Sequence, residues 1–123
     1  MTITRCLHAA LLVSNLARAE KFYQDVLGLT KSPSRSLSFS GTWYQIGDLQ
    51  LHLIENEYYK YSVINQDKWG RNPHFALEVD NLDAIEQKLE RANYAIQMSS
   101  SGRKALFTQD PDNNIIELSQ KIS

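Results

Sequence analysis

The stretch "HAALLVSNLARAEKFYQDVLG", His8 to Gly28, shares its pattern with "HFALEVDNLDAIEQKLERAN", His74 to Asn93. Each begins with a histidine and an alternation that favours a β-strand, then continues with apolar residues at helical spacing. In both, an asparagine stands seven residues after the histidine, where it is a plausible helix N-cap. The sequence therefore predicts a strand and a helix that occur twice.

The residues after each helix extend the repeat. They are rich in β-forming types, in "TWYQIG" and "LQLHLIE" of the first copy and in "YAIQM", "KALFTQ" and "IIELSQ" of the second. The separation of His52 from Glu117 along the chain is nearly the same as that of His8 from His74. A module of a strand, a helix and further strands is thus predicted twice.

Alternation along the strands predicts where the chemistry-bearing side chains point. In each strand the apolar set suits the face covered by the helix, and one metal-competent side chain lies on the opposite face. Two half-sheets related by approximate two-fold symmetry would present four such side chains into one cleft: His8, His52, His74 and Glu117.

This set of three imidazoles and one carboxylate has two interpretations. Each histidine taken alone is most simply a hydrogen-bonded structural residue. Together with the carboxylate they suit one divalent transition ion, Zn, Fe(II), Ni, Co or Mn, because a calcium site would want oxygen ligands. Spacing leaves both interpretations open.

Length, charge and cysteine content narrow the class of protein. The 123 residues fit a single domain, 1–123. A net charge of −1 without a basic tract argues against nucleic-acid and membrane partners. The apolar runs are too short for a bilayer, no signal peptide is recognisable, and the single Cys6 fits a reducing compartment. We therefore expect a cytoplasmic protein.

Over essentially the whole chain the sequence resembles the vicinal oxygen chelate superfamily, the glyoxalase/bleomycin-resistance/dioxygenase fold. The matching segments are "LHAALLVSNLARAEKFYQDVLGL", "HFALEVDNLDAIEQKL" and "ALFTQDPDNNIIEL". The resemblance implies an α+β fold: two repeated βαβββ modules, about 1–56 and 72–121, forming a curved mixed sheet around a central cleft. It also implies a divalent metal ion, a small-molecule substrate and a homodimer.

The resemblance also implies roles for individual residues. His8, His74 and Glu117 fall on the positions that the superfamily's metal enzymes use as a two-histidine, one-carboxylate set. His52 falls on a fourth position, which glyoxalase I fills with a second glutamate. This departure disfavours ordinary glyoxalase I activity and leaves Glu117 as the better candidate base, while His52 is a second group able to move a proton. The fosfomycin-resistance thiol transferases are expected to be a worse match.

Residues outside the metal set are candidates for substrate contacts. Arg103 in "SSSGRKALF", and with less support Arg71, is suited to pair with an anionic substrate. Trp43 and Tyr44 lie on opposite faces of a strand, so we expect one of them to line the pocket and the other to pack in the core. Trp43 is the candidate for the pocket. The aromatic-rich connection 57–71 favours a binding loop or lid, or else a dimer contact or short extra helix.

Two functions follow from these patterns. The first is a metal-dependent enzyme of isomerase, lyase or dioxygenase type, in which the ion acts as a Lewis acid on a small oxygen-chelating substrate and Glu117 or His52 handles the proton. The alternative is a metal-free small-molecule binding or resistance protein of the bleomycin-resistance type, in which the histidines only form hydrogen bonds.

In the turn "DPDNN", Asn113 replaces the usual glycine and is expected to preserve a left-handed backbone.

Overall fold

The computed structural model describes residues 1–33 and 40–122. The chain divides into two compact units, Met1–Tyr59 and a second that begins at Lys60. Each unit contains one four-stranded mixed sheet, as the predicted α+β class of two repeated modules requires. The connection predicted to join the modules at 57–71 belongs mostly to the second unit.

The first unit, as far as the structure describes it, contains four strands and one helix with an extension. They are β1 (His8–Val13), α1 (Leu16–Glu20) continued by a π-helical segment (Lys21–Val26), β2 (Thr30–Lys31), β3 (Gly41–Ile46) and β4 (Leu49–Glu55). The strands lie in the order β1-β4-β3-β2, with β1 parallel to β4 and the other pairs antiparallel. The two-residue β2 was not located from the sequence because it is too short to show alternation.

The second unit repeats this arrangement. A 3₁₀ turn (Trp69–Arg71) precedes β5 (His74–Val79), α2 (Leu82–Arg91), β6 (Ile96–Met98), β7 (Ala105–Gln109) and β8 (Ile115–Gln120). The strand order β5-β8-β7-β6 matches that of the first unit, and β5 and β8 are again the parallel pair. The predicted βαβββ module is therefore confirmed in both halves.

The predicted asparagine caps are both present. The side chain of Asn15 accepts a hydrogen bond from the backbone N–H of Arg18 at 2.9 Å, and that of Asn81 accepts from Ala84 at 3.1 Å. Each satisfies an N–H that the first helical turn leaves without a partner in the helix. The same residue type at the same offset thus starts both helices.

The first helix differs from the single α-helix that its spacing predicts. The backbone N–H of Leu27 donates to the carbonyl of Phe22 at 3.0 Å, an i to i+5 bond that defines a π turn. The extra residue in that turn allows the neighbours Phe22 and Tyr23 both to be fully buried. Gly28 follows with a φ of 77° and ends the helix as predicted.

The first strand is shorter than its alternation predicts. The alternation of apolar residues extends back to Ile3 in the sequence and predicts one strand over residues 3–13, but β1 begins at His8. Its parallel neighbour β4 begins at Leu49, and their register starts with His8 opposite Gln50. Residues 3–6 therefore have no strand to pair with among the described residues.

The apolar faces of the sheets pack against the helices as predicted. In the first unit Tyr44, Leu51 and Leu53 are fully buried, and the Tyr44 ring lies 6.2 Å from that of Tyr23. The Tyr44 hydroxyl donates to Gln24 at 2.9 Å, and burial raises the pKa of Tyr44 well above its usual range. Tyr44 is thus the core member of the Trp43–Tyr44 pair. In the second unit the buried apolar residues include Leu82, Leu89, Leu106, Ile116 and Leu118.

The turn between β7 and β8 keeps the left-handed backbone expected of it. Asn113 has a φ of 69°, and its N–H donates to the carbonyl of Asp110 at 2.9 Å. The buried Asp110 carboxylate accepts from the backbone N–H groups of Asp112 and Asn114, both at 2.9 Å. Asparagine therefore replaces glycine without loss of the turn.

Of the helices in residues 1–33 and 40–122, none has the length and apolar character needed to cross a bilayer.

Candidate functional site

The second unit brings two of the predicted metal ligands together. The β5–β8 register places Ala76 opposite Glu117, so His74 lies on the same face as that carboxylate. His74 Nε2 lies 3.6 Å from Glu117 Oε1, and Glu117 is 7% exposed. This pair forms the centre of the candidate site.

The orientation of His74 is fixed by the backbone. Its Nδ1 lies 2.7 Å from the carbonyl oxygen of Asn72, and because a carbonyl only accepts, Nδ1 carries the hydrogen of that bond. A neutral ring then directs the Nε2 lone pair at the Glu117 carboxylate. Two facing acceptors attract each other only through a positive species, a proton on Nε2 or a metal ion. A histidine anchored at one nitrogen by a carbonyl is also the usual form of a metal ligand, so this pair suits a metal ion.

The other oxygen of Glu117 is held by two donors. Arg103 Nη2 donates to Oε2 at 3.2 Å, and the Ser119 hydroxyl donates to the same atom at 3.0 Å. Arg103 Nε in turn donates to the Ser101 hydroxyl at 3.2 Å. Arg103, predicted as a substrate contact, therefore lies directly against the predicted base. Its side chain is 57% exposed, so the ion pair adds little to stability.

The first unit groups its two histidines around Trp43. The indole stacks on the His52 ring with centroids 3.9 Å apart and planes inclined by 12°. His8 meets the same indole edge to face at 5.2 Å. His52 is 6% exposed, so its face of this stack is buried. Trp43, predicted to line a pocket, is thus the residue that His8 and His52 share.

The second unit contains the equivalent of this aromatic residue. Phe107 lies opposite Glu117 in the β7–β8 register, just as Trp43 lies opposite His52, and its ring meets His74 edge to face at 5.5 Å. Phe107 was not among the residues predicted to have a role. A signal was present, because Phe107 follows Trp43 at nearly the same separation as Glu117 follows His52.

The structure leaves the complete four-residue metal set as a prediction. It places His74 with Glu117 in one unit, and His8 with His52 around one indole in the other. Within residues 1–33 and 40–122, no group of three or more histidine, cysteine, aspartate or glutamate side chains is close enough to hold a metal ion.

Glu117 forms part of the wall of a cavity in the second unit. The cavity has a volume of about 390 Å³ and lies between the 3₁₀ turn, β6, the serine-rich connection to β7, and β8. Its lining includes three cationic side chains, Lys68, Arg71 and Arg103. The two arginines were predicted as possible substrate contacts, whereas Lys68 was not.

Asn72 holds the connecting segment against the second unit. This side chain is 5% exposed, and its Oδ1 accepts from the backbone N–H groups of Ile64 at 2.7 Å and Asn65 at 2.9 Å. Its Nδ2 donates to the carbonyls of Asn65, Lys68 and Trp69. The connection is therefore an ordered wall of the cavity with one short 3₁₀ turn. Apolar side chains of the connection also pack against β7 and β8 in one cluster: Tyr61, Val63, Trp69, Phe107 and Ile115.

Gly70 allows that wall to approach the aromatic residue of the site. A Cβ atom at this position would lie 2.7 Å from Cζ of Phe107, closer than carbon atoms pack. The backbone of the connecting segment thus rests directly on the ring that contacts His74. Like Phe107, Gly70 was not predicted to have a role, because a lone glycine in a loop carries no specific signal.

The chain belongs to the Glyoxalase/Bleomycin resistance protein/Dioxygenase superfamily, whose profile matches residues 5–118. This match covers both modules and confirms the resemblance on which the paired ligand positions were assigned. The family contains proteins of more than one activity, so membership alone selects no reaction.

Similar proteins of known description cover most of the chain. A "Probable lactoylglutathione lyase" of Vibrio cholerae serotype O1 is 25% identical over 128 residues, covering 98% of this chain and 93% of that protein. "Glutathione transferase FosA" of Serratia marcescens is 30% identical over 113 residues, covering 90% and 77% respectively. The thiol transferases are thus a comparably close match, contrary to expectation. The antibiotic-binding protein TnmS3 of Streptomyces sp. CB03234 shares the fold with a TM-score of 0.69, 20% identity and 99% coverage of both chains.

Proposed function

We propose that this protein is a metal-dependent enzyme that acts on a small oxygen-chelating substrate by isomerase, lyase or dioxygenase chemistry. The observation that carries the proposal is the His74–Glu117 pair, in which Nε2 faces Oε1 at 3.6 Å while Nδ1 is anchored by the Asn72 carbonyl. A nitrogen and an oxygen donor presented in this way form half of a transition-metal site.

His8, His52, His74 and Glu117 are the residues that would hold the ion. When bound, the ion supplies Lewis acidity that polarises a substrate oxygen. The imidazoles bind only in their neutral form, so we expect metal affinity to fall as the solution is acidified. The rings of His8 and His52 are both oriented by contact with the Trp43 indole.

Proton transfer is assigned to Glu117, with His52 as the second candidate. Arg103 and Ser119 both donate to Oε2, which leaves Oε1, the atom next to His74, as the carboxylate oxygen available to other groups. Arg103 and Ser119 therefore position the carboxylate and select the oxygen that acts. A general base must lie within hydrogen-bond reach of the proton it removes, and Glu117 lines the cavity.

The names of the two relatives indicate reaction classes that this protein could share. One is named as a lyase and the other as a transferase, and both names contain the word glutathione. His52, in the position where the resemblance implies a glutamate for glyoxalase I, argues against ordinary glyoxalase I activity. A different lyase or isomerase reaction on an oxygen-bearing substrate is the function we favour.

The first test is metal content. Protein purified without chelator is analysed for Zn, Fe, Ni, Co and Mn, then depleted and titrated with each ion. We expect near-stoichiometric uptake of at least one ion, lost in His74→Ala and Glu117→Gln but kept in Glu90→Gln, which neutralises an exposed carboxylate on α2. Absence of any bound ion together with absence of uptake would reject the proposal.

A metal-free binding protein is the second candidate, and one observation favours it. The His52 ring lies flat on the Trp43 indole in a buried position, which is how a histidine with a packing role is arranged. TnmS3, which has this fold, is described as an antibiotic-binding protein. Thermal stabilisation by one specific divalent ion, lost in His8→Ala, would exclude this candidate.

A further inference from the structure

We propose that the cavity of the second unit binds an oxyanion of the substrate, a carboxylate or a phosphate group, through Lys68, Arg71 and Arg103. This inference deepens the proposed function and rests on it for the reaction, although the anion site itself is formed without a metal ion. It assigns the substrate a negative charge that the metal chemistry alone does not require.

The first argument is the charge of the cavity wall. Three cationic side chains line it, against the carboxylates of Asp67 and Glu117. The Glu117 carboxylate already has Arg103, Ser119 and His74 as neighbours. In the described part of the chain neither Lys68 nor Arg71 forms an ion pair within 4.0 Å. Two cations that have no such partner among residues 1–33 and 40–122, at the wall of one cavity, create a positive potential that favours an anionic ligand.

The second argument is the supply of hydrogen-bond donors beside these charges. Lys68 Nζ lies 3.4 Å from the Ser100 hydroxyl, and Arg103 Nε lies 3.2 Å from the Ser101 hydroxyl. The Ser100 hydroxyl, which accepts from Lys68, retains its own hydrogen to donate to an anion, whereas the Ser101 hydroxyl also bonds that of Ser99 at 2.9 Å. The guanidinium of Arg103 has five N–H bonds, of which the contacts to Ser101 and Glu117 use two. Charge-assisted donors in this arrangement are suited to oxyanions.

The third argument is that the cationic segment is fixed before a ligand arrives. Asn72 Nδ2 donates to the carbonyls of Lys68 and Trp69, and the N–H of Arg71 donates to the carbonyl of Lys68 at 3.1 Å. Across the cavity, Gln97 accepts from the N–H of Trp69 at 2.9 Å and donates to the carbonyl of Asp67 at 3.0 Å. A backbone ordered on folding reduces the entropy lost when a ligand binds.

The position of the site relates it to the proposed chemistry. Glu117 lines the same cavity as Lys68 and Arg71. An anionic group held by these cations would place the neighbouring atoms of the substrate beside the proposed base, which is the kind of positioning that accelerates a proton transfer. Arg103, which contacts Glu117, is common to the anion site and the base.

The test measures anion binding to chelator-treated protein, so that it does not depend on metal. Inorganic phosphate and acetate are titrated separately by calorimetry, with ionic strength held constant by chloride. We expect saturable binding of at least one of them, weakened about tenfold in Lys68→Gln and in Arg71→Gln. Arg91→Gln, which removes an exposed arginine on α2 outside the cavity, should bind as the unchanged protein does.

Each result has a distinct meaning. Binding of phosphate alone supports a phosphorylated substrate, and binding of acetate supports a carboxylate. Saturable binding of neither anion, or equal losses in Arg71→Gln and Arg91→Gln, would overturn the proposal. Thermal unfolding of each variant separates lost binding from lost folding. If metal uptake fails while anion binding succeeds, the proposed enzyme function is wrong and the anion site remains.

Discussion

The carbonyl oxygen of Asn72 accepts a hydrogen bond from Nδ1 of His74 at 2.7 Å, while the Asn72 side chain is bonded to five backbone groups of the preceding segment. One residue thus orients the candidate metal ligand and fixes the cationic wall of the cavity. The two parts of the candidate site share this anchor, and its removal should affect both.

Asn72→Ala tests the anchor. Loss of the side chain leaves the N–H groups of Ile64 and Asn65 without their acceptor, so we expect the free energy of unfolding to fall by about 2–4 kcal/mol. Urea denaturation provides the measurement. Gln87→Ala removes an exposed amide on α2 and should cost less than about 0.5 kcal/mol. Equal effects of the two substitutions would show that the Asn72 network is not structural.

Gly70→Ala tests the contact between the connecting segment and Phe107. The added methyl group would lie 2.7 Å from the ring, so the ring must move, at a cost of about 1–3 kcal/mol. Because Phe107 contacts His74, the imidazole resonances of His74 should shift in the NMR spectrum. In a Phe107→Leu background, where that ring is absent, Gly70→Ala should cost much less. An undiminished cost there would rule out this contact as the cause.

Glu55 and Gln120 provide a test of pH dependence with a matched control in the other unit. Glu55 Oε2 accepts from the N–H of Leu16 at 2.7 Å, and Gln120 Oε1 accepts from that of Leu82 at 2.8 Å. The hydrogen bond from Leu16, with a smaller contribution from Ser40, lowers the pKa of the Glu55 carboxyl below its ordinary 4.5. Its stabilisation is therefore fully present above the ordinary pKa and is lost as pH falls through the lowered folded-state pKa.

Glu55→Gln should keep the acceptor, as Gln120 does in the second unit, and remove this acid-sensitive contribution. The unfolding temperature of the variant should fall less steeply than that of the unchanged protein as pH decreases below about 4.5. Glu57→Gln, which neutralises a nearby exposed carboxylate, serves as the control for the loss of one negative charge. The interpretation fails if both variants have the profile of the unchanged protein.

Asn113→Ala tests the left-handed turn between β7 and β8. With φ at 69°, alanine should reduce the free energy of unfolding by about 1 kcal/mol, because it keeps the Cβ that crowds the backbone in this region but loses the polar amide that makes asparagine tolerant of it. Asn113→Gly should be close to neutral, since glycine adopts this φ freely but cannot donate to the carbonyl of Tyr61 as Asn113 does at 3.3 Å. Chemical denaturation of the two variants side by side measures the difference in their free energies of unfolding. Equal stabilities of the alanine and glycine variants would contradict the prediction.

Local patterns were sufficient to predict the repeated module. The asparagine caps, the glycine that ends the first helix and the alternating strands each depend on residues near one another in the chain, so their spacing predicts them directly. The π turn and the two-residue β2 were missed because they depend on packing. Burial of the adjacent Phe22 and Tyr23 rings decides the first, and pairing of Thr30 and Lys31 with β3 decides the second.

Within the candidate site, alternation predicted the face of each side chain within its own strand, and the β5–β8 register puts His74 and Glu117 on the same face. It could not assign Phe107, Gly70 or Asn72, whose roles arise from contacts between segments. Arg103 was predicted to meet a substrate, and its contact with Glu117 depends on the register of β7 against β8.

By itself, the sequence determined the class of this protein: a repeated βαβββ module with metal-competent side chains at matching positions, in a family whose profile its residues 5–118 match. Only the tertiary structure decided how those side chains are held. It gave His74 an anchored tautomer, stacked His52 on Trp43, and gathered Lys68, Arg71 and Arg103 around one cavity. The physical reason is the distance along the chain over which each feature is determined. Periodicity is local and predicts which face of an element a residue occupies, whereas hydrogen-bond partners and charge clusters form between segments that are distant in the chain.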